Sequence, residues 1–186
     1  MTKYLLAFNG HIYVQQATNL RARIATIFER QDCESLTLLL SSEGGSTDEC
    51  MSLYNFIRAL PRPLHIHAIG HVGSAAIPVF LAGHRRTCTP FSRFFFHAYD
   101  WGFEGRQMTD RIQEALQRLV SDIEIHKAIA AKHTKIPAEK LEELYRTSPK
   151  PTIFKPDEAK TFGIVEEITE LNPSGALQPD TVIWTA

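Results

Sequence analysis

Residues 36–70 read LTLLLSSEGGSTDECMSLYNFIRALPRPLHIHAIG, and this stretch decides the fold. Leu36 to Leu40 is a short unbroken apolar run, the pattern of a strand buried on both faces. SSEGGS breaks the run, and Thr47 and Asp48 stand where they can cap a helix reaching about Leu60. Pro61 and Pro63 stop that helix before a second buried strand, Leu64 to Ile69. Strand, helix and strand make a βαβ unit, which implies an α/β fold with a mostly parallel sheet.

Outward from this unit the alternation continues. Upstream, Asn19 to Arg30 carries Leu20, Ile24 and Phe28 on one helical face and leads through a polar turn into the first strand. Downstream, GHVGSA turns the chain into a helix from Ser74 to Ala82, followed by a basic turn, a strand Thr87 to Thr89 and an aromatic strand Phe94 to Phe96. Helical period then holds from about Gly105 to His133, some 28 residues, with Met108, Ile112, Leu116, Leu119 and Ile123 as its stripe. At 1.5 Å per residue such a helix approaches 40 Å, too long for a core of this size. It is expected to project as a handle, and its stripe then needs a partner subunit, a homo-oligomer. A short helix Pro137 to Tyr145, a loop SPKPT, a helix Pro156 to Phe162 and a strand Gly163 to Ile168 complete one domain over 1–171, with a peripheral tail over 172–186.

The chain has 186 residues, enough for one domain with a real core. Lys+Arg 20 against Asp+Glu 21 leaves a net charge of −1, which argues against nucleic acid or an anionic membrane as the main partner. Protein, peptide or small molecule remains. The opening MTKYLLAFNG is too short an apolar run for a signal peptide, and no stretch reaches the ~20 apolar residues that span a bilayer, so a cytoplasmic protein is expected. Cys33, Cys50 and Cys88 form no CxxC, and they read as small buried hydrophobes in a reducing compartment.

Three features stand at strand ends, where open α/β sheets place their ligands. Gly44-Gly45 follows the first strand of the unit, where two glycines let backbone N–H groups face an anion, although an ordinary tight turn would read the same way. Ser74, in V-G-S-A-A, sits between a buried strand and a helix, the logic of an exposed nucleophile without its G-x-S-x-G pattern, or simply a helix N-cap. His97 ends the aromatic strand and can take the proton of Ser74, or be a core histidine. The functional reading rests on the convergence of all three on one sheet edge.

At this point LLLSSEGG (38–45), GHVGSAAIPVFLAG (70–83), SRFFFH (92–97) and DEAKTFGIVEEI (157–168) together resemble the proteolytic subunit of the Clp (caseinolytic) protease. The separations of 29 residues from Gly45 to Ser74 and 23 from Ser74 to His97 are close to that family's spacing. The resemblance covers about Phe8 to Leu171. It implies a ClpP/crotonase-type fold, Ser74 as nucleophile, His97 as base, the N–H groups of Gly45 and Ala75 as oxyanion hole, and Gly44, Ala98 and Asp100 against substrate. It also implies that the helix 105–133 is a handle by which rings of subunits stack around a chamber that admits unfolded proteins or peptides.

Two departures qualify what the resemblance implies. Pro151 stands where the family carries its triad aspartate, and losing such an acid costs on the order of 10⁴ in turnover. Thr152 or a loop carbonyl is the first candidate to orient His97 instead, with Asp157 and Asp100 behind it. Only seven residues precede Phe8, which argues against docking to a standard Clp unfoldase ATPase and fits a stand-alone peptidase. The missing acid also supports a non-catalytic subunit kept for assembly, and the shared sheet and glycine loop admit a crotonase-like acyl-CoA enzyme. Against the latter stand the short chain and a Ser/His pair at peptidase spacing.

Other residues read more simply. His65 and His67 share a strand face, as a metal pair would, but no third ligand is spaced to complete a site, so neither metal nor cofactor is expected. His71 lies near Ser74 in sequence, where it could contact substrate, and reads more simply as a surface residue. Arg85-Arg86 reads as a solvated turn. The cluster from Phe94 to Trp101 reads mostly as core, and the resemblance implies that Ala98 to Gly102, just after the base, is an edge on which a substrate peptide adds a strand.

Overall fold

The computed structural model describes residues 2–100, 102–145 and 151–170 and the backbone of 181–185. In chain order the elements are β1 (Thr2–Asn9), α1 (Val14–Phe28), β2 (Cys33–Ser42), α2 (Thr47–Arg58), β3 (His65–Gly73), α3 (Ala76–Leu81) and β4 (Arg85–Cys88). Then come β5 (Arg93–Phe96), α4 (Thr109–His133), α5 (Ala138–Tyr145), β6 (Thr152–Phe154), α6 (Pro156–Thr161), β7 (Glu167–Ile168) and β8 (Thr181–Thr185). The sheet runs β6-β5-β3-β2-β1-β8, with β4 and then β7 branching from β3. Every pairing is parallel except β5 with β6. The βαβ unit of 36–70 is therefore β2-α2-β3 at the centre of an α/β sheet.

Sheet and helices close over one core. α1 buries Ala17, Leu20, Ile24 and Ile27, and α2 buries Cys50, Leu53, Tyr54 and Ile57, each at helical spacing. Cys33, Cys50 and Cys88 are all buried free thiols, and burial pushes the Cys50 thiol up to about 12 and that of Cys88 to about 11. The structure corrects the sequence reading at several points. The cap of α2 is Ser46, whose Oγ accepts from the Glu49 N–H at 3.4 Å, while Thr47 and Asp48 lie inside the first turn. Arg86 is no solvated turn residue. It pairs with Ile66 in the β3–β4 ladder, keeps its side chain 11% exposed, and reaches the Gly163 carbonyl and Glu166 because the branch carrying β7 covers it. Residues 172–180 lie outside those described, and beyond them β8 joins the outer edge of the sheet beside β1, so the tail's end belongs to the fold.

β3 carries the site to its place by splitting. Its first half, His65 to Ala68, pairs with β4, and its last residues, His71 to Gly73, pair with β5. Between them the register with β2 slips, so Leu40 faces Ala68 but Ser42 faces Val72. A slip of this kind bends a strand and turns its end. The end of β3, and with it Ser74, is thrown across to β5.

α4 begins at Thr109 and is 25 residues long, about 37 Å. Its stripe divides into two. Met108, just ahead of the helix, with Ile112 and Leu116 lies 75%, 49% and 59% exposed, while Leu119 and Ile123 turn onto the core and His126, Ile129 and Ala130 are buried. The N-terminal half projects and the C-terminal half is anchored. Among the described residues no helix is long and apolar enough to cross a membrane.

Several buried histidines set a pH limit on this fold. Thr87 Oγ1 lies 2.8 Å from His65 Nε2 and 2.6 Å from His67 Nδ1, and no third His, Cys, Asp or Glu joins them in a metal-sized group among the described residues. His126 is fully buried, with Nδ1 bonded to the Tyr99 hydroxyl, and burial lowers its pKa from 6.5 to about 4. Native His126 thus stays neutral where the unfolded chain takes up a proton, so its contribution to stability is intact above pH 6.5 and is lost as pH falls toward 4. The loss approaches about 2–3 kcal/mol for this residue. Thermal melts from pH 7 to pH 4 are expected to fall steeply below pH 6.5 and to fall less steeply in His126→Asn; equal slopes for the two would remove His126 from the account.

Candidate active site

Ser74 is the only residue other than glycine with a positive φ among those described, at +53°. An L residue there sits about 1–2 kcal/mol above its usual conformations. The position is imposed from both sides: the Ser74 N–H donates to the Phe95 carbonyl at 2.9 Å as the last rung of the β3–β5 ladder, and the Ser74 carbonyl accepts from the Ile77 N–H as α3 begins. A strand held straight up to Gly73 and a helix starting at Ala76 leave one residue to make the corner. Ser74 is not a cap, because the N-cap of α3 is Ala75 and no side chain bonds there. The hydroxyl is left for other work, which is the arrangement of a nucleophile elbow.

The loop facing this corner is built for glycine. Gly44 and Gly45 have φ of +99° and +147°. A Cβ on Gly44 would lie 2.9 Å from Ser74 Cβ and 3.0 Å from Ala75 N, so the loop touches the corner directly. The outer side of the loop is tied down: the Ile12 N–H donates to the Gly44 carbonyl at 2.8 Å, the Ser46 N–H to the Ile12 carbonyl at 2.9 Å, and the Gly44 N–H to Ser42 Oγ at 3.1 Å. Among the described residues the N–H groups of Gly45 and Ala75 meet no acceptor. Ala75 is buried and Gly45 half-buried, and two such N–H donors on facing segments form an arrangement that can bind an oxyanion.

His97 follows β5 and is half-buried, its ring 5.1 Å from that of Phe95 at 27° and 6.1 Å from Tyr99 at 85°. Tyr99 is itself fixed by its bond to His126, so the wall behind His97 is rigid. A cleft of about 100 Å³ is lined by Gly45, Ser74 and His97, with Tyr99 and Asp100 beside them. Sequence reasoning had placed these together except Tyr99, which it had counted as core. It had missed the opposite wall, formed by Thr47, Leu119 and Asp122. The available signal was a carboxylate set between two residues of the helical stripe, Leu119 and Ile123.

The orienting group for His97 is where the expectations part. Neither ring nitrogen of His97 has a hydrogen-bond partner among the described residues. Thr152 opens β6 opposite Phe96, next to His97 in the sheet register, and its hydroxyl makes no bond to the ring. Asp157 lies exposed on the first turn of α6, outside the cleft, where its charge raises the Cys88 thiol pKa. Ala98 is half-buried beside the base, and Trp101 and Arg146 to Lys150 lie outside the described residues. His71 packs its ring 5.7 Å from Phe95 and does not line the cleft.

A model of the Clp protease family matches residues 2–172. The chain belongs to the Clp protease family. A curated relative in this family, the ATP-dependent Clp protease proteolytic subunit 1 of Thermobifida fusca, is 29% identical over 157 residues, covering 82% of this chain and 68% of that protein. A mutant of ClpP1 from Listeria monocytogenes superposes with a TM-score of 0.76 at 21% identity, over 92% of this chain and 93% of that one. That likeness establishes the ClpP fold. Membership places the chain among peptidases at the level of the family.

Proposed function

We propose that this chain is a serine endopeptidase that hydrolyses peptide bonds of unfolded proteins or peptides inside an oligomeric chamber. The observation that carries the reading is Ser74, held at φ +53° on a strand-to-helix corner that opens into one cleft with His97 and the glycine loop. Ser74 Oγ would attack the scissile carbonyl while His97 takes its proton, and the N–H groups of Gly45 and Ala75 would bind the oxyanion, each worth about 3–4 kcal/mol in comparable sites. His97 would return the proton to the departing amine, and water would then release the acyl group by the same steps reversed. Thr152 or a carbonyl of its loop is proposed to orient His97, since its strand lies against the residue before the base.

The exposed faces of Met108, Ile112, Leu116 and Val120 are proposed to pack against a second copy of the chain. Such packing would build the enclosed chamber and restrict substrate to chains that thread in. A fluorophosphonate probe tests the chemistry without requiring the substrate: intact mass should gain one adduct, mapped by peptide digestion to the segment containing Ser74. Among the described residues no hydrogen bond reaches the ring of His97, and this favours one other reading, a non-catalytic assembly subunit. Properly assembled oligomers that gain no adduct would establish that reading in place of the peptidase.

A further inference from the structure

We propose that Asp122 makes the cleft select a basic side chain, Lys or Arg, in the substrate residue whose carbonyl Ser74 attacks. This rests on the peptidase reading and adds the substrate class. The cleft holds about 100 Å³, well below the ~300–1,000 Å³ of small-molecule sites, and so takes one side chain. It opens beside the candidate nucleophile, which makes its occupant the side chain next to the scissile bond.

The far wall is chemically specific. Asp122 is half-buried on α4, and its Oδ2 accepts from Thr47 Oγ1 at 2.7 Å, which fixes the carboxylate in place. Its other oxygen has no partner among the described residues, and Asp122 enters no ion pair there. Among the described residues no Lys or Arg lines the cleft. Arg118, one turn earlier on the same helix, points its charge to Asp48 at 2.9 Å. Leu119 supplies an apolar wall along which the methylene stem of a long cationic side chain can lie, and Asp100 at the exposed edge adds a second negative charge. A partly desolvated carboxylate without a cation is a state that a substrate cation improves and a substrate carboxylate worsens.

The test is cleavage of fluorogenic peptides that differ only in the residue before the cut, Lys, Arg, Leu or Glu, alongside fluorophosphonate labelling of Ser74. Wild-type protein is expected to favour Lys and Arg over Leu by at least about tenfold in kcat/KM, with Glu poorest, and added salt should narrow the gap. Asp122→Asn keeps the shape and the Thr47 bond and should reduce the Lys-to-Leu ratio; Asp122→Lys should invert the Lys-to-Glu ratio, a change that mere structural damage does not produce. Preference for Leu in a wild-type protein that labels at Ser74 overturns the specificity proposal and leaves the peptidase standing. Absence of both labelling and cleavage overturns both. Loss of labelling in Asp122→Asn, with the Lys-to-Leu ratio of the residual cleavage unchanged, would make Asp122 the positioning residue for His97 instead, and would also overturn the proposal.

Discussion

Ser74→Ala is expected to abolish probe labelling and to lower peptide hydrolysis by on the order of 10⁴–10⁶, because the attacking oxygen is gone while the oxyanion donors and the cleft remain. Stability should hardly change, since alanine keeps the Cβ and hence the same strain at φ +53°. Ser74→Gly separates the two roles. It is equally inactive, but glycine reaches this conformation without penalty, so the fold should gain about 1 kcal/mol, or ~2–4 °C in melting temperature. The Ser74 N–H to Phe95 bond is a backbone contact and survives in both variants. A glycine variant that melts no higher than wild type would mean that the corner stores no strain; an alanine variant that still hydrolyses peptides would remove Ser74 as nucleophile.

The parts of this fold that were legible in the sequence are those whose signal is local. β2, α2 and β3 announce themselves through an apolar run, a cap region and two prolines, and the buried small thiols follow from composition alone. β1 was missed because its residues Tyr4 to Phe8 had been weighed only as a leader, and a strand so near the terminus offers no preceding punctuation. β6 was hidden in a proline-containing segment: Thr152 to Phe154 is a strand only because β5 offers an edge for antiparallel pairing, a tertiary cause that no local pattern encodes. β8 depends in the same way on the free edge of β1.

The candidate site divides along similar lines. Gly44, Gly45, Ser74, Ala75 and His97 were readable because each ends a strand of the same parallel sheet, and parallel order brings such ends together. Asp122 left only a weak mark, a carboxylate between two stripe residues, since it reaches the cleft from a helix that begins well after β5 in the chain. Of the alternative readings of Gly44-Gly45 and Ser74, the cap at Ser74 fails because Ala75 is the N-cap of α3, while the positive φ of Gly44 and Gly45 suits a plain turn as well as an anion-binding loop. Sequence can name a residue that tolerates φ > 0 but cannot say that the chain requires it.

Gly45→Ala is the second large effect, and its argument is steric before it is chemical. A Cβ on Gly45 would lie 2.4 Å from the Ile12 carbonyl oxygen, with the Ile12 carbon at 2.9 Å and nitrogen at 3.0 Å, and all three are backbone atoms that no rotamer change can clear. The φ of +147° disfavours alanine independently. The loop must therefore move away from the Gly10 to Ile12 segment that anchors it, and the Gly45 N–H moves with it. Oxyanion donors act only when aimed to within a few tenths of an ångström, so probe labelling and peptide hydrolysis should fall by at least ~10²–10³. Gly163→Ala is the control: it forces alanine to φ +69° beside Lys135, remote from the cleft, so it should lose stability yet still label Ser74. If Gly45→Ala melts like Gly163→Ala and labels Ser74 as fast, the Gly45 N–H has no part in the chemistry, and the oxyanion would have to be held by Ala75 without it.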